Sequence, residues 1–594
     1  MNSKYKKIII ILICGIIFGS IIYGRVPAWN GDQYGTLVVS QNILQNHTLN
    51  LNAVKKYWKI SPRHYNYQID VNNTINKTTY AYPLGTPIIS LPFVYLANLF
   101  GLNMLKNEQL IQEIICSIVA ILIFLTIYNI SIQYFSFYFS IILGIFGFYG
   151  TTVGPVIGTG LWDLDYDILF SGLAILLIFL SVKKNYSLKM YNSEISSLLV
   201  GLFLFLSFIS RGTAAFLIFF ILIFLFVYKR KYFIKTAMIS GSLFIIYEIM
   251  LFKLTGFILN RGYSLSQFGL KNFRTALKGF LISPARGVLI FDSFLIFTLL
   301  GLFFLFKNRQ RIDKKIKLFV DLILVSSFAL SILLLFWKQW FGGGGATYGP
   351  RIYADAIYWC FISTIIIWGE ITSSHFIVIT KKASAKIIIA SFLFIGFFIN
   401  LQGIFNKYAF EWNSFPPNLN KYNKALFDWR FPQFLMNRYN IQEKYRVEGI
   451  EFGILKSQQT IFDKEYSAVQ SYFRSGGSIS KLNAKILEDR SYLPKSYGVG
   501  NKPYNWTNNG GWIGSWSPAG YYAIGIIGSC HEILRIIKKY KSSTIPNDLV
   551  FVFFPYPKAF SGKCVSNNKF GQLLVRFKLN LNSKDEIDIS SLKK

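Results

Sequence analysis

The feature that most constrains the fold is a series of long apolar runs separated by short basic segments. Runs such as FLIFFILIFLFVY and IIIASFLFIGFFI belong to stretches of about 20 apolar residues, the length that an α-helix needs to cross a bilayer. Hydrophobic residues make up 53% of the 594 residues, and the mean hydropathy is +0.39. A water-soluble chain of this length is seldom so apolar. The sequence therefore predicts a polytopic α-helical membrane protein.

Clusters of Lys and Arg predict how the chain crosses the membrane. Five such clusters flank the apolar runs: KYKK at 4–7, KK at 183–184, KRK at 229–231, KNRQRIDKKIK at 307–317 and KKASAK at 381–386. Cytoplasmic loops carry an excess of Lys and Arg, so an even number of crossings must separate each pair of clusters. The net charge of +34 suits this role and contact with membrane lipids, and we expect no nucleic acid partner.

This reasoning predicts about 11 transmembrane helices with the C-terminus outside. They fall near 8–24, 110–130, 133–150, 164–182, 196–210, 212–228, 234–252, 287–306, 317–337, 352–370 and 386–402. The first is read as an uncleaved helix because no small-residue cleavage site follows it. The apolar stretch 86–104 is interrupted by Pro92, and we expect an interfacial or re-entrant helix on the outer face.

Asp32 follows the first helix in the segment RVPAWNGDQYG, just beyond the expected headgroup level. An aspartate there could act as a general base that a polar acceptor can reach. It could equally cap the helix that resumes near Tyr34, a position that Asp suits well. Both interpretations remain open at this point.

An acidic turn, GTGLWDLDYDILF, carries Asp163, Asp165 and Asp167 before an apolar run. Carboxylate oxygens at this spacing could hold a divalent cation, so Asp163 and Asp165 are candidate metal ligands. Alternatively, acidic residues at a helix start stabilise the helix dipole. A carboxylate this close to the hydrocarbon is costly and points to function.

Three arginines each lie at the outer end of an apolar run: Arg211, Arg286 and Arg351. Outer arginines are unexpected from the charge rule, and a guanidinium matches phosphate geometry. Either they bind an anionic ligand at the outer leaflet, or their side chains extend to lipid headgroups. Arg351 ends the segment WKQWFGGGGATYGPR, whose glycines allow close backbone approach.

Aromatic residues near these motifs are candidates for substrate binding, because Tyr and Trp prefer the membrane interface and also stack on sugars. They are Tyr82, Trp340 and Tyr348. The five cysteines include no metal-binding pattern. Cys530 and Cys564 share the polar C-terminal region, and whether they form a disulfide is left open.

The motifs together resemble those of the GT-C superfamily of membrane glycosyltransferases, in the branch of the lipid A aminoarabinose transferases and protein O-mannosyltransferases. The resemblance covers about residues 1–403. It is carried by Asp32 in GDQYG, by TTYAYPLGTPIISLPF, by SPARGVLIF and by GGGGATYGPRIYAD. The stretch AYPLG departs from the aminoarabinose transferases, which have two prolines and a basic residue before the leucine-glycine pair. The substrate class therefore stays open.

The resemblance implies a polyprenyl-phosphate sugar donor in the outer leaflet and a glycan, lipid or protein acceptor. It further implies that Asp32 is the general base, that Arg211, Arg286 and Arg351 bind the donor phosphate, and that transfer inverts the anomeric centre. Several relatives act without a metal, so a divalent cation is an option and not a requirement. The alternatives are a polysaccharide or lipid flippase and an O-antigen-type polymerase or ligase.

The composition changes after about residue 403. Residues 404–594 contain no apolar run of membrane length, and YYAIGIIGS, VFVFFPYP and GQLLVRFKL predict strands. We expect a membrane module over 1–403, with a first outer loop at 25–109, and an extracytoplasmic α+β or β-rich domain over 404–594. The expected location is the plasma (inner) membrane.

Overall fold

The computed structural model describes the greater part of the apolar region and a few segments of the C-terminal region. The described residues are 3–24, 33, 35–52, 69–72, 77–80, 82–183, 194–255, 267–307, 312–343, 347–373, 383–413, 419, 423–437, 440, 444, 522–527 and 549–554. Asp32, Cys530 and Cys564 therefore lie outside the described residues, and the predictions made for them stay predictions.

The described part of the chain is mainly helical, and its helices follow the apolar runs. In chain order they are α1 (Ser3–Gly24), α2 (Thr36–Asn46), α3 (Gly85–Ile89), α4 (Leu91–Leu99), α5 (Met104–Ser131), α6 (Phe137–Tyr149), α7 (Val153–Ile157), α8 (Asp163–Val182), α9 (Glu194–Ser210), α10 (Ala215–Tyr228), α11 (Arg230–Thr255), α12 (Phe273–Ile282), α13 (Val288–Phe291), α14 (Leu295–Lys307), α15 (Lys314–Leu335), α16 (Ala354–Ser373), α17 (Ala383–Phe405) and α18 (Lys407–Glu411). Strands β1 (Ile69–Asn72) and β2 (Lys77–Tyr80) pair antiparallel.

Seven of the described helices are long and apolar enough to cross a membrane, namely α1, α5, α8, α11, α15, α16 and α17. The chain is thus a multi-pass membrane protein. Four shorter apolar helices, α6, α9, α10 and α14, stand where the remaining spans were predicted. The predicted count of about 11 is therefore not confirmed, although every predicted span contains a helix.

Helix α16 is the centre of the bundle and α1 lies at its edge. The most apolar window of the segment Arg351–Ser373 is 89% buried, whereas that of the first helix is 11% buried. Trp359 and Tyr358 on α16 are fully buried, and Trp359 Nε1 donates to Ser171 Oγ of α8 at 3.0 Å. Residues at the start of α16 are therefore fixed by the best-packed part of the protein.

The predicted span at 287–306 is interrupted, because α13 ends at Phe291 and α14 begins only at Leu295. Asp292 lies between them and is fully buried. Its carboxylate accepts hydrogen bonds from the Thr152 backbone N at 2.8 Å and from Thr152 Oγ1 at 2.6 Å. A buried carboxylate is stable only with hydrogen-bond donors of this kind. The bonds from Thr152 therefore interrupt the helix at Asp292, where the apolar pattern alone would continue it.

The stretch predicted as one interfacial or re-entrant helix forms two short helices, α3 and α4, with Pro92 in the first turn of α4. A Cβ atom built at Gly85 would lie 2.3 Å from the carbonyl carbon of Ile209 and 2.4 Å from the nitrogen of Ser210. The start of α3 therefore presses directly on the backbone at the end of α9. Only glycine fits this contact without displacing one of the two helices.

The bundle has one basic end. Lys183 Nζ donates to Gln133 O at 3.0 Å, and Lys229 Nζ donates to Ser181 O at 2.7 Å. The Nζ atom of Lys315 lies 6.0 Å from the centre of a tyrosine ring, Tyr228, next to the second of these lysines. Three of the predicted cytoplasmic clusters therefore meet at the same end, where α5, α8 and α10 finish and α15 begins.

The chain divides into two compact units. The first comprises Met1–Asn413 and Leu426–Leu435, and the second comprises Ser414–Ala425 and Met436–Lys594. In the second unit, β3 (Tyr522–Ile527) and β4 (Leu549–Phe554) pair parallel. Two of the three predicted strands are thus present, and the third lies outside the described residues. The extracytoplasmic domain predicted for 404–594 stays a prediction.

Candidate functional site

The residue next to Asp32 is anchored beside the acidic turn. Gln33 O accepts a hydrogen bond from Gln112 Nε2 at 2.7 Å, and Gln112 Oε1 accepts one from Leu161 N at 3.3 Å. A Cβ atom built at Gly160 would lie 2.8 Å from the Gln33 side chain, so the two segments are in close contact. Gln33, in the predicted first outer loop, therefore lies next to the start of α8.

The three aspartates of the acidic turn have three different environments. Asp165 is fully buried, and its Oδ2 accepts the backbone N–H of Trp162 at 3.2 Å. This bond satisfies a free N–H at the start of α8, as a helix-capping residue does. Asp167 accepts a hydrogen bond from Ser207 Oγ of α9. Asp163 keeps a side chain that is 21% exposed.

These environments bear on the metal prediction. Asp163 Oδ1 accepts from Leu164 N at 2.9 Å, while Asp165 faces the Trp162 backbone. Within the part of the chain that the structure describes, there is no group of three or more His, Cys, Asp or Glu residues that could hold a metal ion. The divalent cation predicted at Asp163 and Asp165 stays a prediction.

Arg211 bridges two carboxylates that come from different helices. Its Nη1 lies 3.6 Å from Asp163 Oδ2 at the start of α8, and its Nε lies 3.1 Å from Asp355 Oδ2 at the start of α16. Its Nη2 donates to Ile352 O at 2.9 Å. Thr213 completes the cluster, because its Oγ1 accepts from Arg211 Nε at 2.8 Å and donates to Asp355 Oδ2 at 3.2 Å.

Sequence reasoning missed Asp355. It is fully buried, and it provides the closer of the two carboxylates that face Arg211. The available signal was an aspartate inside an apolar run, four residues after Arg351, where an unpaired charge would be costly.

Arg351 lies in the same cluster. Gly349 has a φ of 56°, a left-handed conformation that favours glycine, and Pro350 follows it. This turn delivers Arg351 to a 3₁₀ turn that leads into α16. The guanidinium carbon of Arg351 lies 3.9 Å from the centre of the Trp162 ring, a cation–π arrangement. The neighbouring residue, Ile352, is the one whose carbonyl oxygen Arg211 holds.

Arg286 stands apart from these contacts. Its side chain is 1% exposed, and its guanidinium donates to Phe341 O at 2.8 Å, Ala285 O at 2.7 Å, Gln433 Oε1 at 2.5 Å and Asn413 Oδ1 at 2.7 Å. All four acceptors are neutral. Burial and the nearby charge of Arg351 lower the pKa of Arg286 to about 9. The prediction that Arg286 binds phosphate stays a prediction, and its described donors face protein oxygens.

The three predicted substrate-binding aromatics have different exposures. Tyr82 is half-buried, and its ring packs edge-on against Tyr80 at 5.7 Å. Trp340 and Tyr348 are each 2% exposed. The Tyr348 hydroxyl donates to Ile399 O, and Trp340 packs over Gly279, where a Cβ atom would lie 1.9 Å from its ring. The described contacts of these two rings are protein contacts, and a role in sugar binding stays a prediction for all three.

The arrangement brings two of the three predicted arginines together with one predicted aspartate. Arg211, Arg351 and Asp163 meet around Trp162, and Gln33 lies beside the same turn. This cluster lies at the end of the bundle opposite the lysines of the basic end, because α8 and α16 begin here and finish there. The two guanidinium groups can bind an anion, and the partly exposed carboxylate beside them can accept a proton.

Comparisons with known proteins give weak structural similarities. No family model matches the sequence, and no curated protein matches it. ArnT from Cupriavidus metallidurans bound to undecaprenyl phosphate is similar with a TM-score of 0.40 and 8% identity, over 66% of this chain and 64% of that one. The chain therefore spans less than two thirds of that protein's length.

The archaeal oligosaccharyltransferase AglB from Archaeoglobus fulgidus is similar at the same level. In complex with an inhibitory peptide and a dolichol-phosphate it gives a TM-score of 0.40 and 11% identity, over 73% of this chain and 60% of that one. Tethered to an acceptor peptide, it gives 0.42 and 13%, over 72% and 59%. ArnT and AglB are GT-C glycosyltransferases, the superfamily that the sequence motifs resemble. At these TM-scores the similarity assigns neither an activity nor a site to the chain.

Proposed function

We propose that the chain is an integral membrane glycosyltransferase that transfers a sugar from a polyprenyl-phosphate donor to an acceptor hydroxyl. The observation that carries the proposal is the meeting of Arg211 and Arg351 at the Trp162–Asp163 turn. A sugar-bearing lipid phosphate needs cations for its leaving group and a nearby carboxylate for the acceptor proton. The described cluster supplies the cations, and we propose Asp32, the neighbour of Gln33, as the carboxylate.

The proposed site faces the outer leaflet. The clusters of Lys and Arg at the opposite end of the bundle support a cytoplasmic location of that end, because cytoplasmic loops carry an excess of these residues. The lipid tail of the donor would then lie in the outer leaflet with its phosphate at the depth of Arg351. An acceptor would approach from the extracytoplasmic side, where α8 and α16 begin.

The proposed reaction is a single displacement. The acceptor oxygen attacks the anomeric carbon, the bond from that carbon to the phosphate oxygen breaks, and the lipid phosphate leaves with the bonding electrons. Asp32 takes the acceptor proton, and the anomeric centre is inverted. Arg351, which is partly exposed, stabilises the charge that develops on the leaving phosphate. Arg211 is largely engaged by Asp163 and Asp355, and it fixes the start of α16 from which Arg351 projects.

The test is transfer by the purified, full-length protein with a panel of polyprenyl-phosphate sugars. Undecaprenyl and dolichyl phosphates are suitable lipids, because two of the similar structures hold such lipids; the proposal does not rest on them. We expect release of polyprenyl phosphate in step with sugar transfer. Removing one donor to a developing negative charge costs about 10²–10³ in kcat, so we expect Arg351→Ala to lose about that much.

Matched variants separate this site from general effects. Arg274→Ala removes an exposed arginine from α12 and should leave the rate unchanged. Asp32→Asn should abolish transfer, whereas Asp321→Asn, which breaks only an i,i+4 pair with Lys317 at the basic end, should not. Adding EDTA to the same assay tests the predicted cation. Full activity in each of the two single variants, Asp32→Asn and Arg351→Ala, would refute the proposed site. Movement of the lipid across the membrane of sealed vesicles that contain the protein, without sugar transfer, would favour a flippase.

A further inference from the structure

We propose that Arg286, Asn413 and Gln433 form a clamp that positions the described residues on either side of 344–346 in the glycine-rich segment, namely 337–343 and 347–351, and that Arg286 acts as a positioning residue and not as a phosphate ligand. The inference rests on the proposed function, because the segment it positions ends in Arg351. It gives a role to residues from three distant parts of the sequence, two of which follow the last apolar run.

The first step is the set of bonds made by Arg286. A guanidinium has five N–H groups, and here four bonds run to neutral protein oxygens, with the side chain 1% exposed. A phosphate could pair with two of these N–H groups, as it usually does with a guanidinium, only if at least one of the four bonds broke. One of the bonds, from Nε to Phe341 O, holds the start of the glycine-rich turn directly.

The second step is what the two amides do on their other side. Asn413 Nδ2 donates to Thr347 O at 2.7 Å, and Gln433 Nε2 donates to the same oxygen at 2.9 Å. Gln433 Oε1, which already accepts from Arg286, accepts the backbone N–H of Gly349 at 3.2 Å. Arg286 therefore holds Phe341 directly, and it holds Thr347 and Gly349 through the two amides.

The clamp is itself anchored. Gln433 Nε2 also donates to Ala409 O at 2.7 Å, and the Trp412 ring lies 5.8 Å from the Arg286 guanidinium. Gln433 and Asn413 are fully buried. A network of buried polar groups in which each member has partners fixes a unique geometry, and removing one member leaves the others unsatisfied.

The position of the clamp explains why it matters for the site. Gly349, which the clamp holds, precedes Arg351, which stacks on Trp162, with only Pro350 between them. A shift of the turn would therefore move the guanidinium that faces the leaving phosphate. Misplacement of a catalytic group by about 1 Å costs on the order of 100-fold in rate.

The first test compares Gln433→Ala and Asn413→Ala with the unaltered protein. Both amides are fully buried and their N–H groups donate to protein oxygens, so a loss of transfer in these variants points to the geometry of the segment and not to a lost phosphate ligand. We expect kcat to fall by about 10- to 100-fold with the KM for the donor nearly unchanged, because the transition state depends on the geometry more than ground-state binding does. Unchanged kcat in both variants would overturn the clamp.

The second test is the pH profile of Arg286→Lys. Burial and the nearby charge of Arg351 lower the pKa of Arg286. The same environment would lower the pKa of a lysine at this position below its ordinary value of about 10.4. The activity of the variant relative to the unaltered protein should therefore fall as the pH rises toward about 10, because lysine loses its proton at a lower pH than arginine does. A ratio that stays constant over this range would contradict the role of the charged clamp.

A third measurement does not depend on turnover. Hydrogen exchange of the peptide covering 341–351 should become faster in Gln433→Ala and in Arg286→Lys. The variant that carries both substitutions should exchange no faster than the faster of the two single variants, because both residues act through one network. Exchange that is unchanged would refute the clamp even if the variants fold poorly and transfer cannot be measured. If instead the exchange changes but no donor lipid is turned over by the unaltered protein, the proposed function fails and the clamp stands.

Discussion

Gly85→Ala is the substitution for which the structure gives the most definite consequence. The new Cβ atom would lie 2.3 Å from the Ile209 carbonyl carbon, against 3.4 Å or more for an ordinary contact, a deficit of 3.4 − 2.3 = 1.1 Å. The nearest atoms belong to the backbone of α9, so no side chain can rotate away. Overpacking of this kind costs about 1–3 kcal/mol, and the gain in helix propensity offsets about 1 kcal/mol at most.

The displaced backbone directly precedes Arg211, which follows the last residue of α9 and faces Asp163 and Asp355. We therefore expect two effects of Gly85→Ala in the purified protein: a lower midpoint of thermal unfolding and a fall in transfer of about 10- to 100-fold. Gly241→Ala is the matched control. Gly241 lies within α11, and a Cβ atom added there would have nothing within 4 Å, so alanine should leave both quantities unchanged or raise stability slightly. Equal stability and equal activity of the two variants would refute the close contact between α3 and α9.

Three further predictions concern the charges at the two ends of the bundle. Asp355→Asn should destabilise the protein far more than Asp163→Asn. Breaking the buried pair of Asp355 with Arg211 costs about 3–5 kcal/mol, whereas the partly exposed pair of Asp163 with Arg211 is worth about 1 kcal/mol or less. Thermal unfolding of the two variants gives the order of stability, and the reverse order would contradict the described pairing. Trp162→Leu should weaken binding of polyprenyl phosphate by about 2- to 30-fold, the equivalent of a cation–π contact of about 0.5–2 kcal/mol. The affinity of Trp162→Phe should lie between those of the unaltered protein and Trp162→Leu, and equal binding by these three proteins would count against the site. At the basic end, burial lowers the pKa of Lys183 to about 8, so its charged form is disfavoured in the folded protein. That destabilising contribution is fully present below pH 8 and is lost as the pH rises toward 10.5; competitive acetylation followed by mass spectrometry should give a midpoint near 8, and a midpoint near 10.5 would disprove it.

The apolar runs predicted the helices well, because their length and hydropathy are local properties. The runs at 110–130, 317–337 and 352–370 correspond to α5, α15 and α16 within a few residues. The break at Asp292 could not be predicted in this way, since its cause is a hydrogen bond to Thr152 on a distant segment. An apolar run shows where a helix can form, whereas the position of a buried carboxylate depends on donors elsewhere in the chain.

The candidate site was only partly visible in the sequence. Arg211, Arg351 and Asp163 were named from their residue types at the outer ends of apolar runs, and they lie together. Gln433 and Asn413 gave no signal, because neutral amides in a polar region are common and their partners lie far away in the chain. Tyr348 and Trp340 were expected at the interface, but their rings fill space that Gly403 and Gly279 leave open, a complementarity that only the packing reveals.

The end of the last apolar helix is not the end of the membrane unit. Because Asn413 and Gln433 serve Arg286, a shortened protein that stops after residue 403 would strip that cation of two of its four acceptors and leave it buried without them. It would also free Thr347 and Gly349 from the side chains that hold them. Anyone who cuts this chain to obtain its membrane part alone should therefore cut beyond Leu435, although the hydropathy profile invites a cut near residue 403.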